Sequence, residues 1–114
     1  MSLEKNATRW LLVSIKNIAI LATETTILKP TSESLVLSLM FFNSDSISRT
    51  VTVYLYPTGG SAGDLTTVLV KSIPPKETLI WNGTEKFILD TNSTVSAKAD
   101  VASVVNVCVG YKVV

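Results

Sequence analysis

Residues 50–64 read TVTVYLYPTGGSAGD, and this stretch decides the fold. From Thr50 to Tyr56 the residues alternate, with Val51, Val53 and Leu55 on one side and Thr50, Thr52, Tyr54 and Tyr56 on the other. A period of two is that of a strand with one face buried. The glycines that follow invite a phosphate-loop reading. Such a loop needs a Lys and a Ser/Thr directly after its last glycine, and a helix opening there. Here Gly63 is followed by Asp64, and Leu65-Thr66-Thr67-Val68-Leu69-Val70 is a β-branched run that reads as the next strand. Residues 57–64 are therefore a hairpin connection and not an anion site.

The same grammar extends both ways. Upstream, Ile18–Ala22 leads into Thr25–Leu28, and Lys29-Pro30-Thr31-Ser32 stops the strand because proline offers no ladder N–H. In the next run Leu35, Leu37, Leu39 and Phe41 share one face. Val36, Met40 and Phe42 make the other nearly as apolar, so the spacing predicts a strand covered on both sides. Asn43-Ser44-Asp45-Ser46 is a plain turn. Downstream, Pro74-Pro75 ends the strand from Leu65, Thr78–Trp81 begins another, and Asn82-Gly83 is a tight-turn dipeptide. Phe87–Leu89, Thr94–Ala99 and Val104–Val114 complete about seven or eight strands joined by short turns. That pattern predicts an all-β chain, an antiparallel β-sandwich of immunoglobulin-like or jelly-roll-like order.

The N-terminal segment reads two ways. Leu11, Ile15, Ile18 and Ala22 fall on one helical face, whereas Leu11, Val13 and Ile15 alternate as in a strand. Its β-branched content favours a strand or extended arm. Residues 1–16 are thus expected to be an arm or short helix outside a sandwich domain of residues 17–114. The run Trp10–Ile15 resembles a signal-peptide core, but Lys16 and Asn17 interrupt it and no small-residue cleavage site follows. No window approaches the roughly 20 apolar residues of a membrane span. Three Asn-X-Ser/Thr sequons, at Asn6, Asn82 and Asn92, are expected in a chain this rich in Ser and Thr.

Composition narrows function. With 114 residues the chain is one domain, and 46% hydrophobic against 17% charged residues is an oily balance for so small a body. The expectation is that some of the surface faces another chain. A net charge of +1 with scattered Lys and Arg provides no field for nucleic acid or an anionic membrane. There is no His, so the commonest general base and metal ligand is missing, and the single Cys108 sits in an apolar run where it reads as a buried small hydrophobe. The acids lie in turns. Glu85 and Asp90 flank one strand without forming a facing pair, and Asp90-Thr91-Asn92-Ser93-Thr94 lacks the glycine and closing Glu of a calcium loop. No catalytic residue, metal ligand or cofactor is expected.

The aromatics leave one binding possibility. Tyr54 and Tyr56 project from one face and Trp81 stands at a strand end beside a tight turn, a geometry open to sugar stacking. The plainer reading puts the tyrosines in a subunit interface and Trp81 over the core.

The order of features is also familiar. A Pro-Thr-Ser turn (Pro30 to Ser32) precedes a two-faced strand; Asn43-Ser44-Asp45 and Thr50–Leu55 follow, then a glycine-rich loop, Ile73–Leu79, Thr94–Ala99 and Val105–Tyr111. Over residues 17–113 this resembles the small β-sandwich structural proteins of tailed bacteriophages. The resemblance implies a non-catalytic virion component, assembled in the host cytoplasm: capsid decoration or cement, neck or tail. Its partners would be itself, as a trimer or higher oligomer, and other virion proteins. The interface residues expected are Trp10, Leu11, Val13, Ile15, Tyr54 and Tyr56, and the segment up to Lys16 has no counterpart in that pattern. A carbohydrate-binding module using Tyr54, Tyr56 and Trp81 is the alternative.

Overall fold

The structure, a computed structural model, describes residues 13–81 and 87–114. Nine strands appear among the described residues: β1 (Ser14–Ile20), β2 (Thr25–Leu28), β3 (Ser34–Asn43), β4 (Arg49–Tyr56), β5 (Thr67–Ile73), β6 (Thr78–Trp81), β7 (Phe87–Leu89), β8 (Thr94–Ala99) and β9 (Val105–Val113). They form two antiparallel sheets packed together. Sheet A has the order β1-β9-β3-β6, with β7 also on the free side of β3, and sheet B the order β2-β8-β4-β5.

The pairing is nested. β1 pairs with β9, β2 with β8, β3 with both β6 and β7, and β4 with β5. The chain is thus one long antiparallel hairpin, rolled so that β9 also meets β3 and β8 also meets β4. Of the two arrangements open from the sequence, this is the jelly-roll order; an immunoglobulin sandwich would group the first, second, fourth and fifth strands in one sheet.

The core lies between the sheets. Phe41, Ile20, Ile27, Leu39, Ile73, Val51 and Val53 are almost wholly buried, with Val95, Val105, Val107 and Val109 beside them. Each large side chain there contributes about 1.5–3 kcal/mol of burial. β4 alternates as predicted, with Val51 and Val53 inward.

β3 departs from its predicted phase. Its register with β9 jumps from Val36↔Tyr111 to Ser38↔Gly110, leaving Leu37 as an extra residue in a bulge. A bulge reverses the inward parity of a strand. Val36, grouped above with Met40 and Phe42, is therefore core, whereas Leu35 and Leu37, grouped with Leu39 and Phe41, are only half-buried. The strand is also open on its outer side, where Met40 and Phe42 are exposed.

Two other bulges change the reading locally. Ile27 has no partner between Thr26↔Ser96 and Leu28↔Val95, so two successive residues of β2 are buried. Val68 is skipped between Val53↔Leu69 and Tyr54↔Thr67. The strand expected from Leu65 begins at Thr67, because Asp64–Thr66 make a short 3-10 turn. That turn is tied by Thr66 Oγ1, which donates to the Ser61 carbonyl at 2.9 Å and accepts from Gly63 N–H at 2.9 Å.

At the N-terminus, β1 takes in Ser14, Ile15 and Lys16, three residues assigned above to the arm; they pair with Tyr111, Gly110 and Val109 as an edge strand of sheet A. The Asn82-Gly83 turn and Glu85 lie outside the described residues.

Candidate interaction surface

The two outer faces of the sandwich differ in chemistry. On sheet A, residues opposite one another across the strands form rows. One is Ile15–Gly110–Ser38, the next Asn17–Cys108–Met40–Ile80, the third Ala19–Asn106–Phe42–Thr78. These three rows carry no charged side chain. Ile15 is 68% exposed and Ile80 60%, while Met40 and Phe42 are over one-third exposed. Leu35 and Ile88 continue the apolar surface in a fourth row, where Lys112 lies across from Leu35. Val13 sits above Gly110, since a Cβ at position 110 would stand 3.6 Å from Val13 Cγ1.

Sheet B presents hydroxyls instead. Thr50, Thr52, Tyr54 and Tyr56 of β4 stand opposite Lys98, Ser96 and Thr94 of β8 and Ser72 and Val70 of β5. Tyr54 is only 7% exposed, and Ser96 and Thr94 are buried although they face outward. Glu24 closes over this region. Its Oε2 accepts hydrogen bonds from Ser96 Oγ at 2.6 Å and from the Tyr56 hydroxyl. The bond to that carboxylate, with burial second, raises the Tyr56 phenol above its ordinary value. Gly60 lies against the same ring, where a Cβ would come within 3.1 Å of Tyr56 Cβ.

The sequence-predicted interface residues are therefore divided. Val13 and Ile15 lie exposed on the outer face of sheet A. Tyr54 and Tyr56 are on sheet B, where Tyr54 is buried and Tyr56 is engaged with Glu24. Trp10 and Leu11 lie outside the described residues.

The three aromatics of the sugar-stacking reading do not converge. Trp81 is opposite Leu39 in sheet A and packs toward the core, its ring meeting Phe87 edge-on with centroids 6.4 Å apart. It is on the other sheet from the tyrosines, so no shared platform forms.

Other expected and unexpected features have structural work. Asp90 Oδ1 accepts from Thr91 N–H at 2.8 Å, and Asn92 occupies the left-handed region (φ 60°) in the turn before β8. Asn43, read as a plain turn residue, is fully buried. Its Nδ2 donates to the carbonyls of Ile73 and Ile47, both at 2.9 Å, and its Oδ1 accepts from Asp45 N–H at 2.9 Å. Ile80 and Ile88 complete the apolar face, a role hidden in the sequence because strands of four and three residues are too short to show a phase. Cys108, expected to be buried, is half-buried near the centre of that face.

Among the described residues no three His, Cys, Asp or Glu side chains cluster. Four surface dimples hold at most one carboxylate apiece; one is lined by Ala22, Thr50, Thr52, Lys98, Ala99 and Asp100. No helix of the described residues is long and apolar enough to cross a membrane. Comparison with protein-family models, curated proteins and solved structures finds no match for this chain.

Proposed function

We propose that the chain is a non-catalytic structural subunit of a tailed-bacteriophage particle, a capsid decoration or cement, neck or tail component, acting through contacts with neighbouring subunits. The observation that carries the reading is the outer face of sheet A, whose three central rows carry no charged side chain and which leaves Ile15, Met40, Phe42, Ile80 and Ile88 in water. Apolar residues gathered on one face, with charges absent from its middle, fit a protein contact, since a neighbour would remove that area from water. The jelly-roll order is compatible, being used in viral shells; it is equally used in lectins, so the fold itself does not choose. The separation of Trp81 from Tyr54 and Tyr56 weighs against the carbohydrate-binding alternative.

The test is location. Particles are purified by density gradient from a host carrying the coding sequence and digested for mass spectrometry. Peptides of this chain are expected to band with the particles at a stoichiometry fixed from one preparation to the next. Recovery of the chain only from the soluble lysate, together with specific retention on a glycan array, would replace this reading with the sugar-binding one.

A further inference from the structure

We propose that the cleft at one end of the sandwich, between β1, the end of β9 and the β2–β3 connection, binds a phosphate monoester through Lys16 and Lys29. The site opens between the sheets and not on the outer face of sheet A, so it stands apart from the subunit reading above.

Register brings the residues together. Lys16 lies opposite Val109, in phase with Ile18 and Ile20, so its side chain starts from the inner side of sheet A although β1 is an edge strand. Tyr111, packed on the core, and Ser34, two residues before the core residue Val36, share that side. From sheet B, β2 ends at Leu28 and the chain turns through Lys29-Pro30-Thr31-Ser32. Together these residues line a cleft of about 300 Å³, at the small end of ligand pockets.

The lining is all donors. It holds two ammonium groups and the hydroxyls of Thr31, Ser32, Ser34 and Tyr111, with no carboxylate. Glu33 is next in sequence but is exposed and does not line it. The side chains of Lys16, Lys29, Thr31, Ser32 and Tyr111 make no hydrogen bond or ion pair to a described residue. Two like charges on one small cleft repel each other, and an anion between them turns the repulsion into attraction. An inward lysine on an edge strand also guards that edge against stray pairing. Lys71 on β5, opposite the core residue Val51, occupies such a position in sheet B. Edge protection does not account for Lys29, which is on a turn, or for the unpaired hydroxyls beside it.

The turn is set in advance. Pro30 O accepts from Asn92 N–H at 2.8 Å, Ser34 Oγ donates to Ser32 O at 2.9 Å, and Glu33 O accepts from Val114 N–H at 3.0 Å. Ser34 is fully buried. A ligand therefore meets a backbone already ordered, which removes one cost of binding.

Charge and geometry select the ligand class. A planar carboxylate is best met by an arginine fork, and the cleft has no arginine; lysines offer point charges that suit phosphate. A phosphate monoester carries about 1.5–2 negative charges near neutral pH and acceptor oxygens on three sides, matching two ammonium groups and the hydroxyls around them.

Amide-resolved NMR of the full chain, titrated at constant ionic strength with inorganic phosphate, glycerol 3-phosphate and succinate, is the experiment. Saturable shifts are expected at residues 29–34 and 111–113 with either phosphate, at a Kd on the order of 1 mM. Lys16→Met and Lys29→Met should each weaken binding at least about threefold, while Lys71→Met, which removes the same charge elsewhere, should leave it unchanged. The amide spectrum itself shows whether a variant is folded, and Lys29→Met, on an exposed turn position, suffices if Lys16→Met is not. Equal binding of the two phosphates assigns the cleft to the ion alone, and tighter binding of the ester assigns it to the ester; both support the site. Absence of saturable shifts up to about 50 mM, shifts that survive the two cleft variants, or an equal response to succinate overturns the proposal.

Discussion

Asn43 Nδ2 donates to the carbonyl of Ile73 at 2.9 Å, joining the end of β3 to the end of β5 across the two sheets. With its bonds to Ile47 O and from Asp45 N–H, and its own N–H donating to Glu77 O at 3.0 Å, this one residue fixes both the β3–β4 and β5–β6 connections. Asn43→Ala leaves those side-chain partners without their bond in a site closed to water. The expected cost is about 2–4 kcal/mol, from buried groups left unsatisfied. Urea denaturation measures it, and a loss under about 0.5 kcal/mol, the scale of an ordinary surface change, would show that the network carries no stability.

The bulge at Leu37 is testable by its consequence for two substitutions. Val53→Ala removes a core side chain and should destabilise by roughly 1–4 kcal/mol through lost burial and residual cavity, whereas Leu37→Ala, at a half-buried position, should cost clearly less. Equal losses would place Leu37 inward and return β3 to a regular alternation.

A Cβ at position 110 would stand 2.9 Å from Ser38 Oγ on the neighbouring strand, so a side chain there forces that hydroxyl to turn aside. Gly110→Ala should cost about 1–3 kcal/mol from overpacking. Adding Ser38→Gly, which removes the hydroxyl, should recover part of that loss in thermal melts. Additive effects of the two changes would mean that the crowding lies elsewhere.

Tyr56 makes the alkaline side of stability informative. Its phenol is held above the ordinary 10.0 chiefly by the hydrogen bond to Glu24. The folded state therefore retains a proton that the unfolded chain releases. Its contribution is fully present below pH 10 and is lost as the pH rises through the higher folded value. Titration of phenolate absorbance in Tyr56→Phe should lack one ionisation above pH 10 that the parent shows, and Glu24→Gln should bring that ionisation to lower pH. An unmoved ionisation in Glu24→Gln would remove the carboxylate as its cause.

How much of this was legible in the sequence depends on strand length and on bulges. β4 declares its phase over eight residues, so Val51 and Val53 could be assigned inward from spacing alone. β3 is longer still, yet its first half was grouped with the wrong face of its second, because a bulge leaves no compositional mark and Leu37 looks like its neighbours. The nested order of strands was open for another reason. Immunoglobulin-like and jelly-roll orders use similar strands and turns, and which strands meet is set by long-range pairing. The interaction face was half visible: Met40 and Phe42 showed an apolar second side to β3, but Ile80 and Ile88 join it only through register with β3. Tyr54 and Tyr56 were correctly placed on one face, and nothing in spacing tells that Glu24, on the turn before β2, reaches across to cover it.

The position of β9 has a kinetic meaning. It is the last strand, yet it lies in the interior of sheet A, between β1 and β3, and pairs Tyr111 with Ser14. Sheet A is therefore held open until nearly the full length of the jelly roll is available. Until β9 arrives, one side of β3 and all of β1 expose unpaired N–H and C=O groups beside bare isoleucines, the setting in which chains meet the wrong partner. Closing so distant a contact before any of it rewards the chain makes folding slow for the domain's size. Cleavage that removes Val105–Val113 would cost sheet A its middle rather than its margin, so loss of that one segment should disarm the whole sandwich.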